Sequence, residues 1–171
     1  GAGTITLTAT GATSDVVVAT TKSVTSAGGN IAINAPRDIT LAGTGTVITS
    51  GTGTLTLTAD SDSSGTGAIN ANNSATAIQA GTGLVTLLAA QGIGAGTTIT
   101  NVTATNTASG NISIVDTAGG LNVSTGGVNQ TGTGTVGITA TGGTLNVNET
   151  VQSGGAGTIT LTATGATSDV V

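Results

Sequence analysis

Seven short segments of alternating apolar and polar residues recur along the chain at nearly even spacing, and this recurrence leaves few folds open. They read TITLTA (4–9), NIAINA (30–35), TLTLTA (54–59), LVTLLA (84–89), NISIVD (111–116), TVGITA (135–140) and TITLTA again (158–163). Alternation with a period of two over five or six residues marks a β-strand that buries one face. The inward residues are then Ile5 and Leu7, Ile31 and Ile33, Leu55 and Leu57, Val85 and Leu87, Ile112 and Ile114, and Val136 and Ile138. Ile159 and Leu161 begin the series again. From Ile5 to Ile159 the series takes six nearly equal steps, and the whole offset is 159 − 5 = 154.

That offset coincides with a duplication: residues 1–17 and 155–171 both read GAGTITLTATGATSDVV. Residues 1–154 therefore constitute one complete repeat of six coils, and 155–171 are the start of the next identical repeat. The chain opens in mid-pattern without a charged-then-apolar signal stretch, so we expect it to be a window on a longer array. A coarser symmetry lies inside the unit. The segment SAGGNIAINAPRDITLAGTGTVITSGTGTLTLTA, from Ser26, is similar to TASGNISIVDTAGGLNVSTGGVNQTGTGTVGITA, from Thr107. The repeat thus divides into two diverged three-coil halves, about 1–80 and 81–154.

Two further strand classes fit between successive members of the first. DVVVAT (15–20), DITLAG (38–43), LNVSTG (121–126) and TLNVNE (144–149) form the second, with AINANN (68–73) and TTITNV (97–102) as weaker members. SVTSAG (23–28), TVITSG (46–51), TAIQAG (76–81) and VQSGG (151–155) form the third. Three short strands per coil, with Gly, Asn and Asp at corners that often need positive φ, describe a triangular parallel β-helix. A coil of about 25 residues is too long for the left-handed hexapeptide helix, so the expected fold is all-β, a right-handed parallel β-solenoid. One coil cannot bury its own apolar face, whereas stacked coils form parallel ladders and a continuous core. Six strand spacings of about 4.8 Å predict a rise of roughly 29 Å per unit, with 155–171 superposing on 1–17 after that translation and some twist.

Composition excludes several alternatives. With no Phe, Tyr, Trp or Met the core must be thin and aliphatic. Disordered chains stay soluble through charge and Pro, and here only 5% of residues are charged and one is Pro. Lys22 and Arg37 are the only basic residues, too few to neutralise a phosphate backbone, so no nucleic-acid partner is expected. No apolar run approaches the length of a transmembrane helix, and a membrane barrel would show aromatic girdles, so no membrane insertion is expected either.

The motifs GNIAINA, GNISIVD and GTGTLTLTA, with DITLAG following, resemble the repetitive shafts of filamentous-haemagglutinin-like bacterial adhesins and related giant β-strand-repeat surface proteins. The resemblance runs the length of the chain. It implies a secreted fibre that serves in adhesion, biofilm or sheath, at the cell surface or outside the cell.

Chemistry-bearing groups are sparse. Seven acids are scattered from Asp15 to Asp169 with no His or Cys to act as base or nucleophile, so no catalysis, metal or cofactor is expected. The segment DSDSSG (60–65) alternates hard oxygens before a Gly, but the Glu that a calcium loop would need at position 71 is Ala71. A polar turn is the reading we adopt. Six Asn-x-Ser/Thr sites, at Asn72, Asn101, Asn111, Asn122, Asn129 and Asn148, would accept glycans in a secreted shaft. Outward Thr rows such as Thr4, Thr6, Thr8 and Thr54, Thr56, Thr58 suggest an alternative role, a ligand- or ice-binding solenoid module.

The partners expected are further copies of the chain, in tandem and laterally. For lateral contact the sequence points to Leu84, Leu88 and Val115, which break the outward polar column that Thr54 and Thr58 hold one coil earlier. Three neighbouring apolar groups would form a small patch once per repeat. The competing expectation is that a loop, residues 91–96, covers them.

Overall fold

A computed structural model describes residues 2–171. Every strand pairing in it is parallel, and the fold is a β-solenoid. The first three coils each carry three strands. They are β1 (Ile5–Thr8), β2 (Val16–Val18) and β3 (Ser23–Ser26); β4 (Ile31–Ala35), β5 (Ile39–Leu41) and β6 (Thr46–Thr49); and β7 (Leu55–Ala59), β8 (Ile69–Ala71) and β9 (Ile78–Gln79). Inward Ile, Leu and Val alternate with outward Thr and Asn, as the sequence predicts, and the inward set forms one aliphatic core.

The fourth and fifth coils are different. Val85 and Val102 are direct ladder partners, which makes this coil far shorter than the steps from Ile5 to Ile31, Ile31 to Leu55 and Leu55 to Val85. So short a loop closes with two strands, β10 (Leu84–Ala89) and β11 (Ile93–Thr98), then β12 (Asn101–Asn106) and β13 (Ile112–Asp116). We call this the waist. Its two sheets are two walls facing one another. In β11 two sides merge: Ile93 to Ala95 pair with β8, and Thr97 and Thr98 pair with β9. After the waist the opposite wall divides. Strand β14 (Leu121–Gln130) pairs along β12 with a register break after Val102, where Ser124 to Gly127 bulge out. Beyond it come β15 (Val136–Thr141), β16 (Leu145–Val147), β17 (Val151–Ser153) and β18 (Ile159–Thr164). The two halves of β14 pair with β16 and β17, which makes a new corner. Gly127 sits in that corner at φ 69°, and a Cβ there would meet the Thr150 carbonyl.

This topology corrects two expectations. The predicted single column of Ile5, Ile31, Leu55, Val85, Ile112 and Val136 is two columns. The first four continue to Val102 and Val123 on one wall. Ile112 and Val136 stack instead with Ile93, Ile69, Ile39 and Val16 on the other. All twelve predicted core side chains still point inward; ten are fully buried, while Ile5 and Leu7, in the first coil described, are half-buried. The second correction concerns the coil count. Six ladder steps carry Ile5 to Val147, and Ile159, the counterpart of Ile5, lies half a coil further on the opposite wall. A translation with slight twist therefore does not bring residues 1–17 onto 155–171.

Candidate functional site

In a solenoid the surfaces able to do something are the two open ends, the outward columns and any loop that leaves the coil. The corners hold these in place. Asn30 Oδ1 accepts the Thr54 N–H at 2.9 Å, and at the equivalent place in the second half Asn111 Oδ1 accepts the Thr135 N–H at the same distance. Thr49 Oγ1 donates to the Gly29 carbonyl at 2.7 Å, and its counterpart Gln130 donates through Nε2 to the Gly110 carbonyl at 2.6 Å. Each satisfies a backbone group that the turn takes out of the ladder. Gly83 packs directly on Gly53, and a Cβ would fall on the Gly53 carbonyl.

The waist buries the chain's most polar core. Asp116 is fully buried at an inward position of β13, in a column where β15 carries Ala140. Its carboxylate accepts from Thr97 Oγ1, the Ile99 N–H and the Ala118 N–H, each at 2.9 Å. Burial outweighs these donors and raises its pKa above the ordinary aspartate value. On the facing wall Asn106 accepts the Gly92 N–H at 2.8 Å and donates to Gln130 Oε1 and the Ser109 carbonyl, both at 2.7 Å. No buried side-chain polar atom among the described residues lacks a partner. Nothing in the local sequence pattern singles out Asn106, Gln130 or Thr97. Asp116 carries a usable signal, because it falls on the inward parity of its strand.

The predicted lateral patch does not assemble. Leu84 and Leu88 are half-buried on β10, paired with Asn101 and Thr105, while Val115, 40% exposed, lies on the opposite wall between Gly96 and Thr139. The cause is the waist, which sends β13 across the coil instead of onto β10. Nor do residues 91–96 cover the leucines, since most of that stretch is in β11. The loop after β7 leans over Leu88 instead, and the two border a cleft of about 430 Å³ with Thr58 and Thr105.

That loop is built as the polar turn expected. Asp60 (φ 64°) and Ser63 (φ 57°) are left-handed, and Asp60 Oδ1 accepts from Ser64 Oγ, Gly65 N–H and Thr66 N–H at 3.0 to 3.3 Å. An oxygen so engaged with its own loop is a poor cation ligand. At the surface Asp15 forms a two-point ion pair with Arg37, at 2.6 and 2.8 Å, which draws its pKa down to about 2. Of the six glycan-acceptor asparagines, Asn72, Asn111 and Asn148 are exposed, whereas the amides of Asn101, Asn122 and Asn129 donate to neighbouring oxygens. The outward columns run Thr6, Ala32, Thr56, Thr86 and Thr8, Asn34, Thr58, Leu88, so no two adjacent Thr columns continue over three coils.

The open ends remain. Ile159 is 42% exposed, while Val136, its ladder partner one coil inside, is buried. No family model, curated protein or solved structure matches this chain.

Proposed function

We propose that the chain is a structural repeat of an extracellular fibre, sheath or adhesin stalk, lengthened by stacking coils end to end, with a mechanical and not a catalytic role. One observation carries the reading. The opening segment of a following unit, 155–171, continues the preceding unit's ladders through Ile159 on Val136 and Val170 on Leu145, with no capping element between. A surface with few charges, a cysteine-free chain and three exposed glycan-acceptor asparagines are consistent with a life outside the cell. The alternative, an ice- or ligand-binding face, asks for matched Thr columns, and the interruptions at Ala32, Asn34 and Leu88 weigh against it. The test is the length, by small-angle scattering or electron microscopy, of chains containing one, two and four units. A length linear in unit number supports the fibre; compact particles overturn it.

A further inference from the structure

The two copies of the duplicated segment stand on opposite walls. Strand β1 begins the wall that passes through β10 and β12, and β18 ends the wall that passes through β11 and β13. Val16 likewise pairs with Ile39 on the second wall, whereas its counterpart Val170 pairs with Leu145 on the first. The ladder-forming residues of the segment have thus changed sides.

The waist is the origin. Before it the coil is a triangle with one side on the first wall and two sides opposite. In β11 those two sides become one, and in β14 the first wall becomes two, so the triangle leaves the waist inverted. We propose that successive units of a tandem array join with a half-turn between them. The docking surface is the edge formed by β15 and β16, and its partner is the opening segment of a second unit of this chain. The junction is present in the structure, because 155–171 are that opening segment, with Ile159 on Val136, Leu161 on Ile138 and Val170 on Leu145. The segment fits either wall because its inward Ile and Leu ask only for an aliphatic ladder beneath them.

One waist per unit makes the inversion recur. Two units, thirteen coils in all, restore the starting orientation after about 62 Å at ~4.8 Å per coil, with the gradual twist of the strands superimposed. The loop after β7 and its cleft then project from alternate sides of the rod, and a lateral partner on one side meets them once in every two units.

The proposal rests on the tandem reading above, and the experiment separates the two. In a chain of two full units, Ser113→Cys in each unit gives one exposed spin-label site per unit on a background free of cysteine. Small-angle scattering reports whether the rod doubles in length; if it does not, the tandem reading fails and the half-turn fails with it. Given a doubled rod, a label separation clearly longer than the axial rise of about 31 Å supports the half-turn, and a separation equal to that rise overturns it alone. In the present chain Leu88→Cys with Thr105→Cys should form a disulfide on oxidation, because the two are partners in one ladder. Bridging between Leu88→Cys and Val115→Cys instead would put β13 on the first wall and remove the inversion.

Discussion

The three-strand coils at the N-terminus and the two-strand coils of the waist are made of the same residue types, yet they bury different chemistry. The longer coils enclose Ile, Leu, Val and Ala, and their buried polar groups are the hydroxyls of Ser26 and Thr49. The waist encloses a carboxylate and, with the strand that follows, two amides. Perimeter accounts for the difference. The short coil from Val85 to Val102 has room for two strands and two abrupt turns, and such turns aim the N–H groups of Gly92 and Ile99 where no ladder strand can receive them. The Asn106 amide and the Asp116 carboxylate receive them, which an alanine methyl cannot do. The cross-section of a solenoid thus dictates where it must tolerate buried polarity.

The largest test of this contrast is Leu57→Asp. Set among aliphatic neighbours in a three-strand coil, the charge has no partner and should cost about 4 kcal/mol or more, read as loss of a cooperative melting transition. An unchanged melting temperature would mean that this section tolerates polarity as the waist does. Asn106→Ala tries the reverse at the waist. It orphans the Gly92 N–H and the Ser109 carbonyl and should cost roughly 2–4 kcal/mol by denaturant titration, although a small apolar residue is what β4 and β7 hold at the corresponding level. A cost near zero would dissolve the distinction.

Two acids sharpen the comparison through pH. Asp116 has a raised folded-state pKa, so its contribution is full below the unfolded value and is lost as pH rises through the folded value. Asp116→Asn should therefore flatten the decline in melting temperature on the alkaline side of pH ~4. A slope identical to that of the parent would show that burial does not govern this carboxyl. Asp15 has the opposite sign. Its pKa, lowered to about 2 chiefly by Arg37, gives a contribution present above pH ~4 that disappears as pH falls toward 2. Arg37→Ala should remove only that acid limb, the smallest of these effects because the pair is exposed to solvent.

The strands and their inward residues were legible because alternation is a local property, and all twelve named core positions carried it. The wall on which a strand lands is not local. Residues 91–96 read as a loop because Gly94 and Gly96 depress strand propensity; both glycines lie where Asn72 and Ser74 of the preceding coil press close, which only the stacked coils reveal. Val85 and Ile112, spaced like true coil partners, passed as neighbours, while the real partner Val102 lay within a segment read as a second-class strand. The lateral patch of Leu84, Leu88 and Val115 failed with the same misassigned coil.

The polar levels of the waist also bear on how a chain of near-interchangeable rungs finds its alignment. TITLTA and TLTLTA would stack acceptably on each other or on NIAINA, so a growing coil could engage one rung early, as a zip fastener closes on the wrong tooth, with little energetic warning. Asp116 and Asn106 admit no such substitution: displaced by one coil, Asp116 would leave Thr97 and Ile99 for aliphatic walls, and Asn106 would lose Gln130. A misthreaded chain must then strand a carboxylate in hydrocarbon. The waist acts as the keyed tooth that indexes every rung before and after it.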